Sequence, residues 1–138
     1  GDLSFNGEKE SHLGFIKLLK KLQENGKRVF VITAGHDFND YCRGYTDAGI
    51  HEVEHTDRDE LFDLYYEFGF KDAIAVDKKH LSYVAQLTPQ IRLLALNNDG
   101  TEDCRETYDE EQLEWIKEQI RDAKANNQMI FAINHYPL

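Results

Sequence analysis

Residues 28–37 read RVFVITAGHD, an apolar run that ends in small residues and then a histidine beside an aspartate. Val29, Phe30, Val31 and Ile32 make a short apolar run, partly β-branched, of the kind that fills a strand buried on both faces. The run stops at Thr33, Ala34 and Gly35, residues small enough for a tight turn, and then presents His36 and Asp37. Open α/β sheets keep their ligand-binding and reactive groups at such strand ends. Two other places repeat the arrangement. Gly1-Asp2 reads as the loop leaving a strand, and Asn134-His135 follows a second apolar run, residues 129–133. With 28–33 and 129–133 expected as buried neighbours or near neighbours in one sheet, Asp2, His36 and His135 converge on a single site.

Working outward, residues 8–25 have helical spacing, with Phe15, Ile16, Leu18, Leu19 and Leu22 on one face and Lys17, Lys20 and Lys21 on the other. Asn25-Gly26 is a stop signal. A helix feeding directly into a buried strand is a βαβ crossover. Residues 38–56 form a long connection rich in Asp, Gly and Tyr, of the sort that frames functional sites. Asp57 with Glu60 resembles a cap for a second helix, faced by Leu61, Leu64, Tyr65 and Phe68. Residues 73–76 suit a short strand, and 82–87 and 91–96 pair across Thr88-Pro89-Gln90. Asp109 caps a third helix over 109–126, with Gln112 placed to complete the box and Leu113, Ile116, Ile120 and Ala123 as its buried stripe. The spacing shows no repeat, low-complexity tract or linker, so the expectation is one mixed α/β domain.

The bulk numbers exclude several classes. At 138 residues with 41% apolar content, the chain can bury a core. The formal charge of −10 would repel a nucleic-acid backbone, so no nucleic-acid coating role is expected. No apolar window approaches the length of a membrane span. Cys42 and Cys104 fit neither a metal spacing nor a disulfide framework, and read as two unpaired thiols.

Asp2, His36 and His135 share one topological position. Asp supplies hard oxygen that can bridge two cations and His supplies borderline nitrogen, a mixture that suits Zn, Mn or Fe. Two such cations can activate water and stabilise both oxygens of an in-line displacement at phosphorus. Singly, each residue also has a plain structural explanation: a hydrogen-bonded histidine, or a turn aspartate.

Four stretches, GDLSFNGEKESH, VITAGHD, QLEWIKEQI and FAINHYPL, resemble in order and spacing the calcineurin-like metallophosphoesterases. The resemblance covers nearly the whole chain and implies the α/β sandwich of that family, with mixed sheets flanked by helices. It implies a phosphate mono- or diester substrate and two divalent ions, Mn, Fe or Zn. Asp2 would bridge the metals and His135 would be a ligand of one. His36 would protonate the leaving oxygen or stabilise phosphoryl charge, with Asp37 orienting it. The family's asparagine ligand falls at Gly35, which has no side chain to coordinate a metal. The family's Asp-x-His, expected before Asp2, and Gly-His-x-His, expected after His135, are not in the sequence. The chain therefore reads as the central portion of a longer domain, inactive by itself. A degenerate relative that binds phosphate or a partner without turnover is the alternative.

His51-Glu52-Val53-Glu54-His55 matches H-E-x-x-H, the zinc-peptidase signature, which needs both histidines on one helix face. No apolar stripe surrounds it and Gly49 precedes it, so a solvated loop is the expected state. His12 and His80 are expected as surface or helix-packing residues.

Overall fold

The hairpin of residues 82–95 is the centre of the fold. The computed structural model describes residues 1–38, 41–101, 104–105 and 107–137. In chain order the elements are α1 (Lys9–Glu24), β1 (Arg43–Thr46), β2 (Gly49–Glu52), α2 (Arg58–Leu64), β3 (Ala73–Asp77), β4 (Ser82–Thr88), β5 (Ile91–Ala95), β6 (Gly100–Thr101), β7 (Cys104–Arg105), α3 (Glu110–Ala125) and β8 (Met129–Ile133). Short 3₁₀ turns cover Gly35–Phe38, Tyr66–Phe68 and Phe70–Asp72.

β4 and β5 pair antiparallel across Pro89-Gln90, where proline presets the turn's φ. Their side chains alternate between two cores, as the two-residue period of a strand requires. Tyr83, Ala85, Leu93 and Ala95 join Ile16, Leu19, Leu61, Tyr65, Phe68 and Phe70 on one face. Val84 and Leu94 meet Trp115, Ile116 and Ile130 on the other. Helices on both faces of a mixed sheet make this an α/β protein. The sheet order is β3-β4-β5-β8, and β8 runs parallel to β5 in register from Ile91↔Met129 to Ala95↔Ile133. α3 is the crossover between that parallel pair, the connection such a pair demands. Among the described residues no helix is long and apolar enough to cross a membrane.

Several expectations need correcting. Residues 28–34 form no strand and join no ladder, because their backbone groups find other partners. The Val31 N–H donates to the Phe68 carbonyl at 2.9 Å, and the Tyr83 hydroxyl donates to the Val31 carbonyl at 2.9 Å. The neighbour of 129–133 is therefore β5. β8 lies at the sheet edge rather than in its interior, and Met129, Phe131 and Ile133 stand exposed on one face of it. The 38–56 connection contains the hairpin β1–β2. His51 sits in β2 and His55 in an isolated bridge to Glu8, so the H-E-x-x-H residues share no helix face.

The helices also differ in detail. In α1, His12, Ile16 and Leu19 are buried while Leu18 and Leu22 are exposed. In α3 the inward line is Gln112, Ile116 and Ala123, with Leu113 and Ile120 exposed. The Asp109 carboxylate accepts from the Gln112 N–H at 2.8 Å as a cap should. The Gln112 side chain does not return the favour. It donates into the core, to the Ser82 hydroxyl and the Asn97 carbonyl.

Candidate active site at the strand ends

β5 and β8 are parallel, so the chain leaves both at the same end of the sheet. The next residues are tied together there. Asn98, buried after β5, accepts the backbone N–H groups of His135 (3.2 Å) and Tyr136 (3.1 Å) and donates to the Tyr136 carbonyl at 3.0 Å. Asn97, its buried neighbour, donates to the Thr33 hydroxyl at 3.1 Å, which draws in the end of the 28–34 segment. Three chain exits thus meet over one edge of the sheet.

The first residues of the chain complete the cluster. Asp2 and His135 are in direct contact, with Nε2 3.0 Å from the carboxylate Oδ2 and both side chains about 30% exposed, 31% and 27% respectively. Asp2 holds a left-handed φ of +56°, a conformation aspartate tolerates better than most residues and one common at functional sites. Gly1 is wedged between neighbours: a Cβ there would lie 2.4 Å from that of Ala34 and 3.0 Å from the His135 ring. Only glycine lets the 1–2 loop approach so closely.

Asp37 is fully buried beneath this loop. Its carboxylate accepts three backbone N–H groups, from Leu3 at 2.6 Å, Ser4 at 2.9 Å and Ala34 at 2.9 Å. Asp37 therefore joins the 1–4 loop to the 34–37 turn that carries His36, through backbone N–H groups and not through the His36 ring. His36 is exposed, and its Nδ1–H donates to the Phe5 carbonyl at 2.6 Å, so that carbonyl sets the ring. Asp2 and His135 are brought together; His36 lies on the same turn but bonds Phe5 in place of either.

Sequence reasoning missed several supporting residues. His12, expected as a surface or helix-packing residue, is fully buried against Tyr65; its Nε2–H donates to the Asp37 carbonyl at 2.8 Å and its Nδ1 accepts from the Tyr65 hydroxyl at 2.7 Å. His80 is buried as well, with Nδ1 2.6 Å from Asp77 and Nε2 3.0 Å from Asp109. Asp99 lies against Gly35, and a Cβ on Gly35 would fall 2.6 Å from its Oδ1. The signal for residues 97–99 was present: like His36 and His135, they follow an apolar run.

The donors Asp2 and His135 have the chemistry of transition-ion ligands and fit as two of them, while Gly35 does not fit as a third. Catalytic ions generally have three protein ligands. Among the described residues no group of three or more His, Cys, Asp or Glu side chains is placed to hold a metal. Cys42 is buried and its thiol donates to the Asn6 carbonyl; the Cys104 side chain lies outside the described residues. No protein-family model matches the chain, and no curated protein matches it.

Proposed function

We propose that these residues belong to a metal-dependent phosphoesterase of the calcineurin-like type, in which the α/β elements form the central part of the family's sandwich. The observation that carries the reading is the 3.0 Å contact of Asp2 with His135, residues from opposite ends of the sequence. In this reading Asp2 and His135 hold metal, and the remaining ligands come from an Asp-x-His and a Gly-His-x-His in flanking sequence. A bound pair of divalent ions supplies activated water and charge stabilisation at phosphorus. The chain's own residues do the rest. His36 has Nδ1 committed to the Phe5 carbonyl, so Nε2 is the atom through which it would deliver a proton to the leaving oxygen. Asp37 keeps the 34–37 turn against the 1–4 loop and so keeps His36 in place.

The test uses protein carrying the flanking sequence. Asp2→Ala should abolish hydrolysis of a generic phosphodiester. His36→Ala should slow it by about 10²–10⁴-fold with metal content unchanged. Loss of metal in His36→Ala would make His36 a ligand and overturn its role as acid. A second reading, phosphate or partner binding without turnover, is favoured by one observation: the Asp99 carboxylate occupies the space beside Gly35. Unaltered folding with no bound metal and no hydrolysis would select it.

A further inference from the structure

We propose that the cleft beside α2 is a binding site for a small organic phosphate, for which AMP serves as the probe. The cleft has a volume of about 370 Å³ and is lined by Arg58, Asp59, Phe62, Lys78, Lys79 and Leu81. That is enough for an organic ligand and far more than a bare ion needs. Its lining carries three cations and one acid, with Asp77, Asp99, Asp109 and Glu111 close behind.

Arg58 is the central group. Its guanidinium makes no hydrogen bond or ion pair with any described residue, and Nε and Nη2 are buried without a partner. Its contact is with the Phe38 ring, 5.9 Å away, which satisfies no donor. Burial works against its charge, and the fields of Asp59, Asp99 and Asp77 offset this only in part. Unpartnered buried donors on a charged group are costly and uncommon, and an Arg fork is the side chain best matched to phosphate oxygens.

The surroundings supply the rest. The Lys78 ammonium sits 4.5 Å from the centroid of the Phe62 ring and makes no ion pair with a described residue. Lys79 differs, being engaged by Glu111 and Asp109. Phe62 provides apolar surface for the organic part, and Leu81, itself buried, lines the cleft beside it. Leu81 has a φ of +50°, a conformation that costs a branched residue energy and clusters at ligand sites. This site needs neither metal nor turnover, so it stands apart from the phosphoesterase reading.

The test is titration of the 138-residue chain with AMP, adenosine and orthophosphate, followed by calorimetry and by amide chemical shifts. AMP should bind more tightly than either part, weaken with added salt, and move amides of residues 58–62 and 78–81. Arg58→Ala should weaken AMP binding about tenfold or more, and Lys78→Glu should do so without touching the core. Lys79→Ala should change it little. Adenosine or orthophosphate binding as tightly as AMP, shifts centred elsewhere, or Lys78→Glu binding like the unmodified chain would each overturn the proposal.

Discussion

Asn98 holds His135 from the neighbouring strand end, its Oδ1 accepting the His135 backbone N–H at 3.2 Å. The same side chain meets both polar backbone groups of Tyr136, so one amide fixes the turn after β8. Asn98→Ala should remove the acceptor of the His135 and Tyr136 N–H groups, while the Tyr136 carbonyl keeps the Asn134 side-chain amide, and cost about 1–3 kcal/mol in urea unfolding. The Asp2–His135 contact should loosen with it, visible as a shift of the His135 ring resonances. A loss of stability with those resonances unmoved would place the effect elsewhere.

Asp37 invites a more discriminating substitution. Asp37→Asn keeps the size, but its amide offers one acceptor oxygen where three N–H groups converge. One of them must face another N–H. The expected loss is about 2–4 kcal/mol, close to that of Asp37→Ala, since hydrogen bonds to a buried charge are the strong ones. An Asn variant as stable as the original would show that the carboxylate charge is not what joins the two loops.

α3 offers an internal control. Ile116 packs in the second core while Ile120, on the same helix, is 45% exposed. Ile116→Ala should cost about 2 kcal/mol or more, and Ile120→Ala about 0.5 kcal/mol or less. Equal costs by chemical denaturation would mean that the helix is rotated from the orientation described.

Acid stability should depend on Asp109. The Gln112 N–H, and after it His80, hold its carboxyl down at about 2. A depressed folded value stabilises the protein above the ordinary aspartate value of 3.8, and that contribution is lost as pH falls through about 2. Asp109→Asn should therefore lower the urea midpoint at about pH 5, and its difference from the unmodified chain should close toward about pH 2. A difference independent of pH would remove the carboxylate from the explanation.

Much of the architecture was legible in local pattern. α1, the 82–96 hairpin and the Asp109 cap each rest on interactions within a few residues, and spacing reports those. The meeting of Asp2 with His135 was legible too, because two strand-end signatures pointed to one edge of a sheet. What failed was whatever depends on a distant neighbour. Residues 28–33 have a strand's composition, yet a strand exists only against a ladder partner, and theirs are the Phe68 carbonyl and the Tyr83 hydroxyl. Apolarity predicted burial for β8, but its outer position leaves Phe131 uncovered. The partners of His12, His80 and Gln112 were unreadable for a related reason. A polar side chain enters a core only when partners far away in sequence are waiting for it.

The closeness of Gly35 and Asp99 makes these two positions interdependent in any history of substitution. A side chain cannot be added at 35 while the Asp99 carboxylate keeps its place, since even a methyl group would collide with it. The atoms in the way are the far end of the Asp99 side chain, so any residue placed at 35 must turn that carboxylate aside. Asparagine at 35 alone and asparagine paired with a shortened residue 99 are therefore the two variants to compare, since only the second removes that demand.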